Sequence, residues 1–405
     1  MSKAFEFFSE YIKVETTASE SSGTHPSSPG QLELGRRLVD QLQELGAADA
    51  AMSAHGYVMG HLAATPGCET LPALGLIAHM DTAASASGKD VKISVVAYTG
   101  GSIALGTSGL VVEPGARFAG HRLAVTDGTT LLGADDKAGI AAIMAMLDEI
   151  RTRQLPHGKI CICFTPDEEI GEGTLFFDVP GFGADYAFTV DGGNPEEVEF
   201  QNFNAAGAAV TVKGLSCHPG YAKGLMINAA RVAMEFDAML PPDEVPEKTE
   251  GFEGFFHLTD MSGNVSLAEL QYIIRDHDAE KFAARKTCMM QISDELNRKY
   301  GEGTVQLKIT DQYRNMEEKV ACCPELLALA DEAVRRAGMT PVHPPIRGGT
   351  DGSKLSFMGL PCPNLGTGGH LAHGELEFLS IDELEKVVTI LLNLVILCGE
   401  EKRVH

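Results

Sequence analysis

Four short groups of acidic and histidine residues stand out in this sequence, because each follows an apolar run or lies in a glycine-rich loop. Open α/β sheets bind ligands beyond the carboxyl ends of their strands, which is where three of the groups fall. Carboxylates that face one another repel, and imidazole together with carboxylate suits zinc or a similar divalent ion. The sequence therefore predicts a metal site built from His79-Met80-Asp81-Thr82, Asp135-Asp136-Lys137, Asp167-Glu168-Glu169 and Asp191-Gly192-Gly193.

The adjacent Glu168 and Glu169 favour a division of labour in hydrolysis. One carboxylate can bind metal while the other remains the general base for an attacking water. Two metal ions about 3.5–4 Å apart need a carboxylate that bridges them, and aminopeptidases are among the enzymes that use such pairs. Asp81 follows His79 by two residues and can orient the metal-binding histidine from behind.

A further histidine ligand is expected late in the chain, within TGGHLAHGELEF, where His373 is the candidate and His370 its rival. Other catalytic classes lack their motifs, since the chain contains no HExxH, GxSxG, GxxxxGK[ST] or GxGxxG. Cys217 and His218 do not predict a thiol nucleophile, because neighbouring residues on a strand point to opposite faces.

The elements that must position these groups alternate in type over the first 200 residues. Short apolar runs at 57–64, 73–78, 159–165 and 184–190 predict strands, and a helix is predicted at about 137–151. Buried apolar strands that alternate with helices are typical of a sheet covered on both faces. The predicted fold class is therefore α/β, with a mixed sheet flanked by helices.

The pattern changes near residue 205 and returns near 315. Between these points a few strands accompany two long predicted helices, at 226–240 and 278–300. A chain of 405 residues also exceeds the about 250–300 residues at which a single core stops growing. We predict a catalytic dimetal domain from 1–204 plus 314–405, with a smaller α+β domain at 205–313 inserted as a lid that binds substrate.

Composition restricts the partners and the location. The net charge of −24 repels phosphate backbones, so nucleic acid is not an expected partner. The longest apolar run, 387–398, is shorter than the ~20 residues that span a membrane. Nine scattered cysteines are typical of reduced intracellular thiols, so the cytoplasm is expected. An oligomer is compatible with the sequence.

Taken in order, these motifs resemble the peptidase T family, within the co-catalytic dizinc metallopeptidases that also include carboxypeptidase G and acylases. The likeness spans nearly the whole chain. Its most specific segments are TDGTTLLGADDKAGIA (126–141), FTPDEEIGEG (164–173), HPGYAKG (218–224), IRGGTDG (346–352) and LSFMGLPCPN (355–364).

The resemblance implies two zinc ions per subunit. By position, Asp135 would bridge them, His79 and Asp191 would complete one site, and Glu169 and His373 would complete the other. The same likeness implies that Glu168 is the general base, that Asp81 supports the metal site, and that the peptide bond after Asp135 is cis.

For the substrate, the resemblance implies an aminopeptidase that removes the first residue from short peptides, chiefly tripeptides. His218 and Arg275 match positions that contact the substrate carbonyl and carboxylate, and Arg347 is a weaker candidate for the same work. The alternatives are a dizinc carboxypeptidase or N-acyl amino-acid hydrolase, and a non-catalytic peptide-binding relative. The stretch GGHLAHG departs from the family pattern, so His370 and Leu371 leave the peptide preference open.

Overall fold

The computed structural model describes residues 2–400. Within them the α-helices are α1 (Lys3–Tyr11), α2 (Pro29–Glu44), α3 (Ala134–Arg153), α4 (Val179–Phe182), α5 (Ala229–Ala238), α6 (Ala279–Tyr300), α7 (Glu317–Val320), α8 (Pro324–Arg336), α9 (Asp351–Phe357) and α10 (Ile381–Glu400).

The strands of the same region are β1 (Ala51–Met52), β2 (Val58–Leu62), β3 (Leu74–His79), β4 (Ser94–Ala97), β5 (Ile103–Ala104), β6 (Val111–Val112), β7 (Arg122–Val125), β8 (Ile160–Thr165), β9 (Tyr186–Gly192), β10 (Val198–Glu199), β11 (Asn204–Lys213), β12 (Phe255–Gly263), β13 (Leu267–Asp276), β14 (Val305–Tyr313), β15 (Asn364–Gly366), β16 (Gly369–His370) and β17 (Phe378–Ser380).

The chain divides into two compact units. The second unit comprises Gln201–Glu317 and Pro345–Gly349, and the first contains the remaining described residues. The insert predicted at 205–313 lies inside the second unit. The segment 345–349 differs from the sequence-based division, which placed it with the catalytic domain. It belongs to the second unit because Ile346 forms a backbone bridge with Asn202. The Ile346 carbonyl oxygen also lies 3.1 Å from His277 Nε2.

The first unit is built on a seven-stranded sheet with the order β1-β2-β8-β3-β9-β15-β10. The four central strands β8, β3, β9 and β15 are parallel, while the strands at both edges are antiparallel to their neighbours. Every residue of β3 and β8 is buried, as expected for parallel strands covered on both faces. The predicted mixed α/β fold is confirmed.

Helix α3 fills the centre of the first unit's core. Its segment from Ala138 to Leu147 is buried throughout and is apolar on every side rather than along one stripe. Apolar residues of α1, α8 and α10 pack into the same core. This packing holds the amino end of α3, which carries Asp135, beside the sheet.

The second unit is a four-stranded antiparallel sheet with the order β12-β13-β11-β14. Burial alternates along most of β13, so one face of the sheet carries the apolar side chains. Apolar residues of α5 and α6 join that face in one core, which includes Val210, Ile274, Phe236 and Leu296. Across residues 2–400, no helix combines the length and the apolar character needed to cross a membrane.

Candidate dimetal site

The predicted site residues of the first unit lie where parallel strands end. His79 is the last residue of β3, and Asp191 is the next-to-last residue of β9. Asp167 follows the end of β8 by two residues. Because β8, β3 and β9 are adjacent and parallel, their carboxyl ends meet at one edge of the sheet. Asp135 reaches this edge from the first turn of α3.

The five predicted ligands lie close together around Asp135. His79 Nε2 is 2.9 Å from Asp135 Oδ1 and 3.3 Å from Asp191 Oδ1. His373 Nε2 is 3.0 Å from Asp135 Oδ2 and 3.1 Å from Glu169 Oε2. Each oxygen of Asp135 therefore faces a different histidine, as a bridging carboxylate requires. Nitrogen and oxygen ligands about 2.0–2.2 Å from one tetrahedral ion are separated by about 3.3–3.5 Å, so the observed 2.9–3.3 Å would need to widen by only a few tenths of an ångström to hold two ions.

The electrostatics of this group also fit bound cations. Burial and then the neighbouring carboxylates raise the pKa of Asp191 to about 7. Hydrogen bonds to Asp135 and Glu169 raise the pKa of His373 to about 11. Glu169 Oε1 is buried and has no hydrogen-bond partner among the described residues. A carboxylate oxygen left in this state is costly, and a divalent ion would satisfy it.

Asp81 positions both the first histidine and the two glutamates. Its carboxylate accepts hydrogen bonds from the backbone N–H groups of Glu168 and Glu169, each at 3.0 Å. Its carbonyl oxygen lies 3.1 Å from His79 Nδ1, which donates to it. The proton of a neutral His79 therefore sits on Nδ1, and the Nε2 lone pair faces Asp135 and Asp191. Asp81 thus acts on the glutamate loop as well as on the histidine.

The carboxylate of Glu168 is held differently from that of Glu169. The second contacts His373, whereas the structure shows no side-chain hydrogen bond or ion pair for Glu168 within residues 2–400. Burial, followed by the charge of Asp351, raises the pKa of Glu168 well above its ordinary value. A carboxylate with a raised pKa and no fixed partner suits proton transfer near neutral pH.

Glu377 is a positioning residue that the sequence analysis missed. It is 2% exposed, and its carboxylate accepts hydrogen bonds from the N–H groups of Leu132, Gly133 and Asp135 at 2.6, 2.7 and 3.0 Å. It therefore fixes the backbone that carries Asp135. The only local signal is its place four residues after His373.

Residues of the GADDKAG loop (133–139) meet specific structural requirements. The Asp135–Asp136 peptide bond is cis, which confirms that expectation. Asp136 Oδ2 accepts a hydrogen bond from the His79 N–H at 3.1 Å. A Cβ atom at Gly139 would lie 1.9 Å from the Val190 carbonyl oxygen and 2.4 Å from Asp136 Oδ1. Only glycine therefore allows α3 to approach β9 this closely.

His370 occupies a different environment from His373. Its Nε2 lies 2.7 Å from Glu383 Oε2, and its ring packs edge-on against Phe118 with centroids 4.9 Å apart. The histidine that faces Asp135 is His373. Leu371, between them in the chain, is 54% exposed with a φ of 54°.

In the second unit, His218 is exposed and its Nδ1 accepts a hydrogen bond from the Gly220 N–H at 3.1 Å. The neutral ring therefore carries its proton on Nε2, which can donate to a carbonyl oxygen.

The two candidate arginines of the second unit differ in their partners. Arg275 donates to the carbonyls of Ala206 and Ile274, and the described residues place no carboxylate in an ion pair with it. The neighbouring Asp276 carboxylate pairs instead with Arg285, at 2.8 Å. Arg347 instead donates to the carbonyls of Gly251 and Glu253 and so holds the loop that contains them.

Comparison with known proteins decides the family. Residues 114–396 match the sequence profile of the peptidase family M20/M25/M40. The chain belongs to this family. Peptidase T of Clostridium perfringens is similar at 49% identity, covering 99% of this chain and 100% of that protein. The predicted resemblance to the peptidase T family is thereby confirmed.

Solved structures of related fold agree with this assignment to family M20/M25/M40. A tripeptidase from Staphylococcus aureus superposes with a TM-score of 0.78 at 21% identity, covering 98% of both chains. An aminopeptidase from Bacillus cereus superposes with a TM-score of 0.76 at 20% identity, again over 98% of both. The family match and the ligand groups around His79 together support a metal-dependent peptidase.

Proposed function

We propose that the protein is a cytoplasmic dizinc aminopeptidase that removes the N-terminal residue from short peptides, chiefly tripeptides. The observation that carries this proposal is the shared Asp135 carboxylate, whose two oxygens lie 2.9 Å from His79 Nε2 and 3.0 Å from His373 Nε2. The similarity to peptidase T over the whole chain supports the substrate class.

Two zinc ions would be held by the groups on either side of Asp135. His79 and Asp191 would bind one, and Glu169 and His373 the other. When bound, the ions polarise the peptide carbonyl and lower the pKa of the attacking water. Three of the five ligands, Asp135, Asp191 and Glu169, are carboxylates. Their negative charges repel one another, and two +2 ions would relieve this repulsion.

Glu168 would perform the proton transfers. Its carboxylate takes a proton from the attacking water as the oxygen adds to the peptide carbonyl carbon. The same proton then passes to the nitrogen of the breaking C–N bond, which leaves as a neutral amine. The raised pKa of Glu168 suits both steps, because the group must accept and release a proton at one pH.

Substrate recognition is proposed for the second unit. His218 can donate from Nε2 to the carbonyl oxygen of the substrate as it gains negative charge. Arg275 donates to two backbone carbonyls, forms no ion pair within the described residues, and can donate to the peptide carboxylate in a charge-assisted pair. Arg347 is the weaker candidate, because its guanidinium already holds the loop at Gly251 and Glu253.

Cytoplasmic location is part of the proposal. Among the described residues no disulfide joins any two cysteines, although all nine cysteines lie within that region. Reduced thiols in this number are typical of intracellular proteins.

The test is a hydrolysis assay on di-, tri- and tetrapeptides with free or N-acetylated amino ends, with and without a chelator. We expect free tripeptides to be cleaved fastest, N-acetylated peptides to resist cleavage, activity to be lost with chelator, and activity to recover on adding zinc. Preference for N-acetylated peptides would instead identify an N-acyl hydrolase, and release of the C-terminal residue a carboxypeptidase. Absence of any hydrolysis with two bound zinc ions would support a non-catalytic binding protein.

A further inference from the structure

A second kind of histidine–carboxylate cluster lies beside the dimetal site in the first unit. It consists of His25, Asp167 and Glu172, none of which is among the five ligands proposed above. His25 Nδ1 lies 3.1 Å from Asp167 Oδ2 and 3.5 Å from Glu172 Oε2. One nitrogen and two carboxylate oxygens therefore converge on a single small volume.

The state of the His25 ring requires explanation. Its side chain is only 9% exposed, and neither ring nitrogen has a hydrogen-bond partner in the described part of the chain. A buried polar atom without a partner is destabilising. The ring is held by aromatic neighbours, with centroids 5.1 Å from Phe176 and 5.9 Å from Tyr57. The Nδ1 atom thus lies within ion-pair distance of both carboxylates but forms a hydrogen bond with neither.

The Asp167 carboxylate is oriented by hydrogen bonds from Ser27 and Gln31, as metal-binding carboxylates commonly are. It is fully buried, and its Oδ1 accepts hydrogen bonds from Ser27 Oγ at 2.5 Å and Gln31 Nε2 at 2.6 Å. Within residues 2–400, its Oδ2, the oxygen facing His25, accepts one hydrogen bond, from the Ser27 N–H at 2.7 Å. Carboxylates that bind metal are commonly oriented by such outer hydrogen bonds. One lone pair of Oδ2 therefore remains directed into the cluster.

Glu172 completes the cluster from the solvent side. Its side chain is 46% exposed, so water can reach this donor, whereas the His25 Nδ1 and the Asp167 carboxylate are buried. The donor separations of 3.1 and 3.5 Å resemble the 2.9–3.3 Å separations around Asp135 and the about 3.3–3.5 Å expected for ligands of one tetrahedral ion. Three protein ligands with a water in the fourth position form a familiar zinc arrangement.

We propose that His25, Asp167 and Glu172 bind a third divalent cation of the zinc type. This ion would fix Asp167 in the chain directly before Glu168 and Glu169, and so stiffen the loop that supplies the proposed base and one dimetal ligand. The competing explanation is a protonated His25 that forms a simple ion pair with Asp167.

The experiment counts metal in the full-length protein. The protein is stripped with chelator, titrated with zinc alone, freed of excess metal by gel filtration and subjected to elemental analysis. We expect three zinc ions per chain. A crystal of the zinc-loaded protein should show anomalous scattering about 2.0–2.2 Å from His25 Nδ1.

Two variants and one control make the count specific. E172Q changes a solvent-accessible group, and H25F keeps an aromatic ring among the aromatic neighbours, so each should fold and bind two ions. His55 is the matched control, because its ring stacks on Phe176 at 3.9 Å and it belongs to no carboxylate cluster of the described chain. H55A should retain three ions.

The outcomes separate this inference from the proposed function. Two ions in the unsubstituted protein, with no anomalous signal at His25, would overturn the third site and leave the dimetal enzyme standing. Three ions that persist in both E172Q and H25F would place the extra ion elsewhere and would also overturn it. No bound zinc at all would refute the dimetal proposal itself.

Discussion

The seven-stranded sheet of the first unit and the β12-β13-β11-β14 sheet of the second unit place ionisable residues in different environments. In the first unit, β3 is buried along its whole length and ends in His79, so ionisable groups lie at a buried edge. In the second unit, β13 exposes alternate residues, and its candidate binding residue Arg275 is partly open to solvent. Buried charges are costly unless they are paired or bind metal.

This difference suits the first unit to metal binding and proton transfer and the second unit to substrate recognition. The carboxylates near His79 have strongly perturbed pKa values, with that of Asp191 raised to about 7 by burial and its charged neighbours. Groups in this condition are typical of sites that transfer protons or bind metal. His218 and Arg275 are instead held by backbone groups and keep hydrogen-bonding capacity for a ligand. We therefore expect substitutions in the first unit to alter turnover and metal binding, and those in the second to alter substrate affinity.

The largest effect is expected for Glu168→Gln. The change keeps the shape of the side chain and removes the proposed base, so kcat should fall by about 10²–10⁴-fold. The zinc content should remain near that of the unsubstituted protein, because no ligand is lost. Steady-state kinetics and elemental analysis on the same sample measure both quantities.

The neighbouring Glu169→Gln serves as its matched partner. It removes a charged ligand that contacts His373, so one zinc should bind more weakly and added zinc should partly restore activity. If metal were lost from the Glu168 variant and kept in the Glu169 variant, the two roles would be exchanged.

The next largest effect is expected for Glu377, which is not a proposed metal ligand but holds the backbone next to Asp135. Glu377→Gln replaces one of the two oxygens that accept from Leu132, Gly133 and Asp135 with an NH₂ donor. Partners of this kind are worth about 10–100-fold in metal affinity, and competition with a chromogenic chelator measures the change.

Glu375 provides the control for this variant, since it is exposed and lies two residues away. Glu375→Gln should bind zinc as the unsubstituted protein does. Equal zinc affinity in both variants would show that Glu377 does not position the site.

A smaller effect is expected in the second unit from Arg275→Ala. Loss of one charge-assisted pair with the peptide carboxylate should raise KM roughly tenfold while kcat changes little. Arg231→Ala is the control, because Arg231 is exposed on α5. A fall in kcat with unchanged KM would contradict the division between chemistry and recognition.

The smallest effect concerns stability and pH. Burial, with the charges of Glu197 and Asp191, raises the pKa of Glu199 to about 7 despite a hydrogen bond from Asn364. The folded state therefore binds this proton more tightly than the unfolded state, whose glutamate pKa is about 4.3. The stabilisation is fully present below pH about 4 and is lost as pH rises through about 7.

Glu199→Gln should remove this dependence. The loss of unfolding free energy between pH 5 and pH 8 should shrink by on the order of 2 kcal/mol, as measured by denaturant titration at both values. The exposed Glu113→Gln should keep the original dependence. An unchanged profile for Glu199→Gln would mean that its carboxyl titrates normally.

The sequence by itself determined the elements that carry the chemistry. The apolar runs at 73–78 and 159–165 correspond to β3 (Leu74–His79) and β8 (Ile160–Thr165), with the polar groups directly after them. This succeeds because central parallel strands must be apolar on both faces, and a polar cluster at such a strand end is conspicuous. The order of the motifs also indicated the family.

Only the tertiary structure decided which distant groups complete the site. Glu377 supports Asp135 across 242 residues, and Ser27 and His25 reach Asp167 from a loop more than a hundred residues earlier. The place of 345–349 in the second unit likewise depends on a long-range contact, the bridge between Ile346 and Asn202. No local pattern encodes such pairings, because a single glutamate or histidine in a loop is indistinguishable from a solvated one until packing removes its water.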